Sequence, residues 1–160
     1  MVKSKIYLVL ILFINPLGFT YSQVSKSKDY ILTITKGRVE KIDKNTYWII
    51  PTTFTNQSKD TLKYFSMSCS WSDFYTVDNR KLQVRGNDCD KNIPIILTLA
   101  PNACKTVEVY LQISQTMDAS SISFRIGMHL VKAGKSTDNY NYFGEKENKK
   151  DIIWSNAIEM

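Results

Sequence analysis

Three cysteines and a single histidine carry the readiest covalent chemistry in this chain. A catalytic thiol needs a base within hydrogen-bond reach and a third group that orients the base. Cys104 stands in the turn Pro101-Asn-Ala-Cys104, and His129 falls on the polar side of an alternating segment, beside Arg125. Nothing in their spacing joins them, and no Asn or Asp is identifiable as the orienting group. A Cys104/His129 enzyme of unrecognised type is therefore set behind a non-enzymatic reading. No nucleophile elbow, phosphate-binding loop or zinc-binding helix motif occurs.

Three thiols allow at most one intrachain bridge and leave one over. Cys69 and Cys89 flank one polar excursion, and joining them closes a loop of about 20 residues, which stabilises by about 3 kcal/mol in the chain-entropy account. The expectation is a Cys69–Cys89 disulfide with Cys104 as a free thiol. Inside that excursion stand Asp73, Asp78, Asn79, Asn87, Asp88, Asp90 and Asn92, oxygen donors of the kind calcium prefers. Their spacing matches no EF-hand loop, and Arg80, Lys81, Arg85 and Lys91 interleave them, so they read as polar turns; no metal and no cofactor is expected. The sequon Asn56-Gln57-Ser58 reads as a strand-end turn.

Aromatic residues among polar ones are the candidates for recognition. Trp71 and Tyr75 lie inside the cysteine-bounded excursion, with core packing as the competing role. Tyr140, Tyr142 and Phe143 stand among Asn139, Asn141 and Gly144 in a polar connection of 18 residues, 133–150. Connections this long in a compact domain are functional or disordered. Rings provide contact area at low entropic cost, which suits a sugar or a protein ligand.

The elements that position these residues begin with an address. Lys3 and Lys5 precede an apolar run of 9 residues, Ile6 to Ile14, ended by Asn15-Pro16 and followed by the small-residue site Thr20-Tyr-Ser22. A bilayer-spanning helix needs about 20 apolar residues, so 1–22 reads as a cleaved signal peptide and 23–160 as the mature domain. No Cys stands at the cleavage point to take a lipid, so no stable membrane anchor is expected. Export to the periplasm or the exterior puts the thiols where disulfides persist.

Without 1–22, the 21 Lys and Arg fall to 19 against 15 Asp and Glu, a net charge of +4 instead of +6. No block of five or six like charges occurs, so a nucleic-acid partner is set aside. The remaining length suffices for one core without a mesh of crosslinks.

Period-2 alternation dominates that length. Val107, Val109, Leu111 and Ile113 alternate with polar residues, as do Ile122, Phe124, Ile126, Met128 and Leu130, the pattern of a strand with one wet face. Tyr30 to Thr35 and Tyr47 to Thr55 repeat it, the latter with Trp48, Ile50, Thr52 and Phe54 on one side. Leu62–Met67, Phe74–Val77, Leu82–Arg85, Ile93–Leu99 and Ile152–Ile158 are shorter candidates. Turn-forming clusters such as Asn56 to Asp60 and Ala100-Pro-Asn102 separate them. No stretch of ten residues carries a helical apolar period. About seven to nine short strands in one domain predict an all-β, antiparallel sandwich.

The strand ending in Thr53-Phe-Thr-Asn-Gln-Ser58, with Leu99-Ala-Pro-Asn102 leading into Thr106-Val-Glu-Val-Tyr-Leu111, resembles the Ig-like sandwich domains of secreted bacterial proteins. The resemblance spans about Tyr30 to Leu130. It implies the fold and a role in adhesion, carbohydrate binding, inhibition or spacing. The inter-sheet cysteine pair of antibody domains is missing, since neither Tyr47–Thr55 nor Ile122–Leu130 contains a Cys. The sequence thus leads to an exported, non-enzymatic binding module for an unidentified protein or carbohydrate. An inhibitor, for example of a protease, or an accessory subunit of an exported complex, pairing through a sheet edge or the same loops, stands as its rival.

Overall fold

Residue 48, which the alternation turns inward, is the fourth of the twelve residues of the longest strand, and that strand sets the frame of the molecule. The computed structural model describes residues 29–87, 89–113, 122–134 and 152–159. In chain order the strands are β1 Tyr30–Ile34, β2 Arg38–Ile42, β3 Asn45–Asn56, β4 Leu62–Met67, β5 Tyr75–Val77, β6 Leu82–Val84, β7 Pro94–Leu99, β8 Cys104–Ile113, β9 Ser123–Phe124, β10 Ile126–His129, β11 Ile152–Trp154 and β12 Ile158–Glu159. All their pairings are antiparallel, and the one helical element among the described residues is a 3-10 turn, Trp71–Phe74. The protein is all-β, as the alternation requires.

β3 organises the first layer. Its Trp48, Ile50, Thr52 and Phe54 are all buried, the face expected from the sequence. β8 runs along one edge from Tyr47↔Gln112 to Thr55↔Cys104, with β6 beyond it. The other edge is shared: β1 pairs with residues 52–56 and β2 with residues 45–49. Where the chain crosses between them, a Cβ on Gly37 would lie 2.1 Å from the Ile49 carbonyl oxygen, so only glycine fits that approach. β2 is the strand the sequence does not announce. Four of its five residues are exposed, so no apolar period marks it; its main chain pairs with β3, and Arg38 reaches Glu108 of β8.

The second layer centres on residues 122–133, one alternating segment broken at Arg125. There the main-chain N–H donates to the Asp78 carboxylate at 2.7 Å instead of to a neighbouring strand. β11 and β12 pair along one side of this segment. β5 and then β4 lie on the other, β4 through Phe65 N–H to the Val131 carbonyl and Ala133 N–H to the Lys63 carbonyl. β7 pairs with β4 outside it. Ile122, Phe124, Ile126, Met128 and Leu130 are all buried, in the expected alternation. Phe74, read as the start of a strand, belongs instead to the 3-10 turn and is buried there. Half-wet sheets must cover their apolar faces, and here they cover each other: Trp48 stacks on Phe124 at 6.0 Å between ring centroids, and Phe54 meets Tyr64 edge-on at 5.7 Å. Asn156 fastens the layers along one flank, accepting from the Ile34 N–H and donating to the Ile34 carbonyl.

Candidate functional site

On the opposite flank the layers part. β6 covers β8 only as far as Val84↔Leu111 and the bond from Arg85 N–H to the Tyr110 carbonyl. Below that point the inner face of β8 stands away from β4 and β7 and leaves a cavity of about 480 Å³. Phe54, Tyr64 and Met128 lie at its base; Ile95 and Leu97 of β7 wall one side, and Lys105 and Val107 of β8 the other. Val109 and Leu111 point into the core, so Lys105 and Val107, in the same register, face inward too. A pocket of this size, lined mainly by apolar and aromatic side chains with Ser66, Ser68, Lys105 and Glu108 among them, is the form small ligand sites take.

Trp71 and Tyr75 complete the lining, and they meet edge-on with 5.8 Å between centroids. Trp71 opens the 3-10 turn and Tyr75 follows it as the first, extended residue of β5, so the two rings meet across the turn. The turn is pinned at its entry. The Cys69–Cys89 disulfide forms, with 6.1 Å between Cα atoms. The Asn92 carboxamide accepts from the Cys69 and Ser70 N–H groups and donates to Ser70 Oγ. Asn87 donates to the Cys69 carbonyl, and Ser68 N–H reaches the Ile93 carbonyl. The amides read as turn residues are thus what fixes Trp71 and Tyr75 at the cavity.

Burial, with the Tyr64 phenol adding to it, pushes the Tyr75 phenol far above its ordinary value, and burial also raises Tyr64. Both stay neutral at physiological pH, and both line the cavity. Lys105 supplies the cationic ammonium. Glu108 also borders the cavity, but its carboxylate accepts from Arg38 at 2.6 and 3.2 Å across the outer face of the sheet.

The remaining candidates are dispersed. Cys104 is an exposed free thiol opposite Thr55 at the end of the first layer, whereas His129 pairs with Ile152 in the second. Asp78 is bound to Arg125, Asn79 donates to the Ser123 carbonyl, and no group of three His, Cys, Asp or Glu side chains is placed to hold a metal ion among the described residues. Asn56 of the sequon is fully buried and its Nδ2 donates to the carbonyls of Asp60, Leu99 and Ala100, so it is a structural amide. Tyr140, Tyr142, Phe143 and Asp88 lie outside the described residues, as does the 1–22 segment.

No signal in the sequence marks Lys105, Leu97 or Val107 as members of a site, because each reads as an ordinary strand residue. The point at which β6 leaves β8 decides it. No family model matches the chain, and no curated protein matches it. Among solved structures it is similar to the yjhA protein from Bacillus subtilis, at 13% identity and a TM-score of 0.37, over 79% of this chain and 90% of that one. A likeness of that size bears on neither fold family nor function.

Proposed function

We propose that this is an exported, non-enzymatic binding module of Ig-like type that takes an apolar group of its ligand into the cavity between β7 and β8. The observation that carries the reading is the Trp71–Tyr75 pair at a cavity of about 480 Å³, held by a disulfide and the Asn92 amide rather than left to a free loop. A pre-fixed aromatic wall loses little entropy on binding, which is how rigid rings contribute to affinity. Export is supported by the signal-type sequence of residues 1–22 and by the disulfide; no helix of the described residues is long and apolar enough to cross a membrane. Two antiparallel layers, and the strand-and-turn pattern from Thr53 to Leu111, support the Ig-like assignment.

The test uses an aromatic anion, 1-anilinonaphthalene-8-sulfonate, whose rings match the cavity and whose sulfonate matches Lys105. Trp154, 36% exposed and under Arg125 elsewhere on the molecule, provides the control. Trp71→Ala weakens binding by about tenfold, the scale of a lost buried aromatic contact, and Trp154→Ala leaves it within about twofold. The reverse order, or equal loss from both, contradicts the reading.

A further inference from the structure

The cavity is bordered by more than side chains. We propose that its ligand is an extended polypeptide segment, which adds as a strand to the open edge of β8 and sends alternate side chains into the cavity; this rests on the cavity being a binding site.

The backbone phase of β8 supports it. In an antiparallel strand each residue directs its N–H and C=O to the same side, and that side alternates along the chain. The Tyr110 carbonyl accepts from Arg85 on the β6 side. Glu108 and Thr106 therefore direct their main-chain groups to the same side, where no described strand pairs with them. Glu108 borders the cavity while its carboxylate is turned away to Arg38, so the cavity meets its main chain. A strand edge that no described strand covers, beside an apolar trough, asks for a ligand that offers amides at strand spacing together with apolar side chains at every second position. Polypeptide in extended form offers both, and a sugar or a lipid does not.

The facing strand does not compete for the role. Phe65 and Lys63 of β4 bond to residues 131–133, so residues 94, 96 and 98 of β7 direct their main-chain groups outward. Pro94 has no N–H to give, which blunts that edge. β7 instead presents Ile96, 48% exposed, and Ile93 just before it is 62% exposed. Apolar side chains at the rim of an open strand edge suit a protein neighbour. Lys105, the cation facing the cavity, selects an acidic residue at one end of the incoming segment.

The probe is a capped seven-residue peptide of alternating Val and Thr with one terminal Glu, made with the Glu at either end and titrated against the full chain. Two methylated series follow, one with methyl groups on the Val nitrogens and one on the Thr nitrogens. Only one phase faces β8, so one series binds at least about tenfold more weakly than the parent and the other binds like it. The Thr106 and Glu108 amide hydrogens exchange more slowly with the parent peptide bound, and Lys105→Glu shifts the preference from terminal Glu to terminal Lys. Equal loss from both series, loss from neither, or no binding of the parent overturns strand addition. The anilinonaphthalene measurement on Trp71→Ala is independent of it: a Trp71-dependent probe with an indifferent peptide leaves the cavity reading standing and removes only the strand.

Discussion

Replacing Asn56 by Ala removes the most connected polar side chain of the core. Its Nδ2 donates to Asp60, Leu99 and Ala100 carbonyls at 2.8, 3.0 and 3.2 Å, and its Oδ1 accepts from Ser58 N–H and Oγ at 3.0 and 2.7 Å. One buried amide thereby ties the end of β3 to both the turn that follows it and the turn that leads into β8. Ala at this position takes one donor from the buried Leu99 carbonyl, which still faces Leu62 of β4. At about 1 kcal/mol net per bond, with some Ser58 contacts recovered by water, the loss is about 2–4 kcal/mol. For a domain of this size that lowers Tm by about 5–15 °C. Urea unfolding followed by circular dichroism measures it. Asn56→Asp sharpens the test, because it keeps the acceptor and sets a carboxylate against three carbonyl oxygens. Folding then raises that carboxyl above its usual value near about 4, so the penalty is complete above the raised folded-state value and fades as pH falls toward about 4. A loss below about 1 kcal/mol for Asn56→Ala, or an Asn56→Asp deficit that ignores pH relative to Asn56→Ala, refutes this reasoning.

Cys69→Ser with Cys89→Ser opens a loop with a sequence separation of 20 and costs about 3 kcal/mol in denaturant titrations; because the bridge also fixes the turn that carries Trp71, affinity for the anilinonaphthalene probe falls in the same variant. Gly127→Ala destabilises by about 1–3 kcal/mol in thermal melts, since the added methyl would lie 2.7 Å from Ile152 Cγ2 and 2.9 Å from Trp154 Cζ3. Burial alone would raise the Asp78 carboxyl, but bonds from the Arg125 main chain and Nε outweigh it and hold it below the usual range. Its stabilising contribution is present above about pH 4 and lost as pH falls through the depressed value, so the acid limb of a stability–pH profile is shallower in Asp78→Asn than in the wild type.

What the sequence makes legible is whatever one face of one strand decides. The run from Ile122 to Leu130 names its buried residues outright, because period-2 burial is a local property. The Cys69–Cys89 bridge is legible because the two thiols flank one polar excursion, whereas Cys104 stands in a separate turn. β2 is illegible because an exposed edge strand has no apolar face to display. Trp71 and Tyr75 are visible as aromatics in an excursion, yet the choice between core and site turns on how far β6 extends along β8, a tertiary fact with no local signature. Asn56 reads as a turn residue, and only the approach of the Leu99–Ala100 carbonyls makes it a core amide.

The most direct test of the cavity as the binding site is a methyl- and indole-resolved NMR titration of the full chain with 1-anilinonaphthalene-8-sulfonate. The account predicts that the largest shifts fall on the Trp71 indole N–H and the methyl groups of Leu97, Val107 and Met128, which line one cavity from three strands. Shifts gathered instead around Trp154 and Ile152, with the Trp71 indole unmoved, would contradict it.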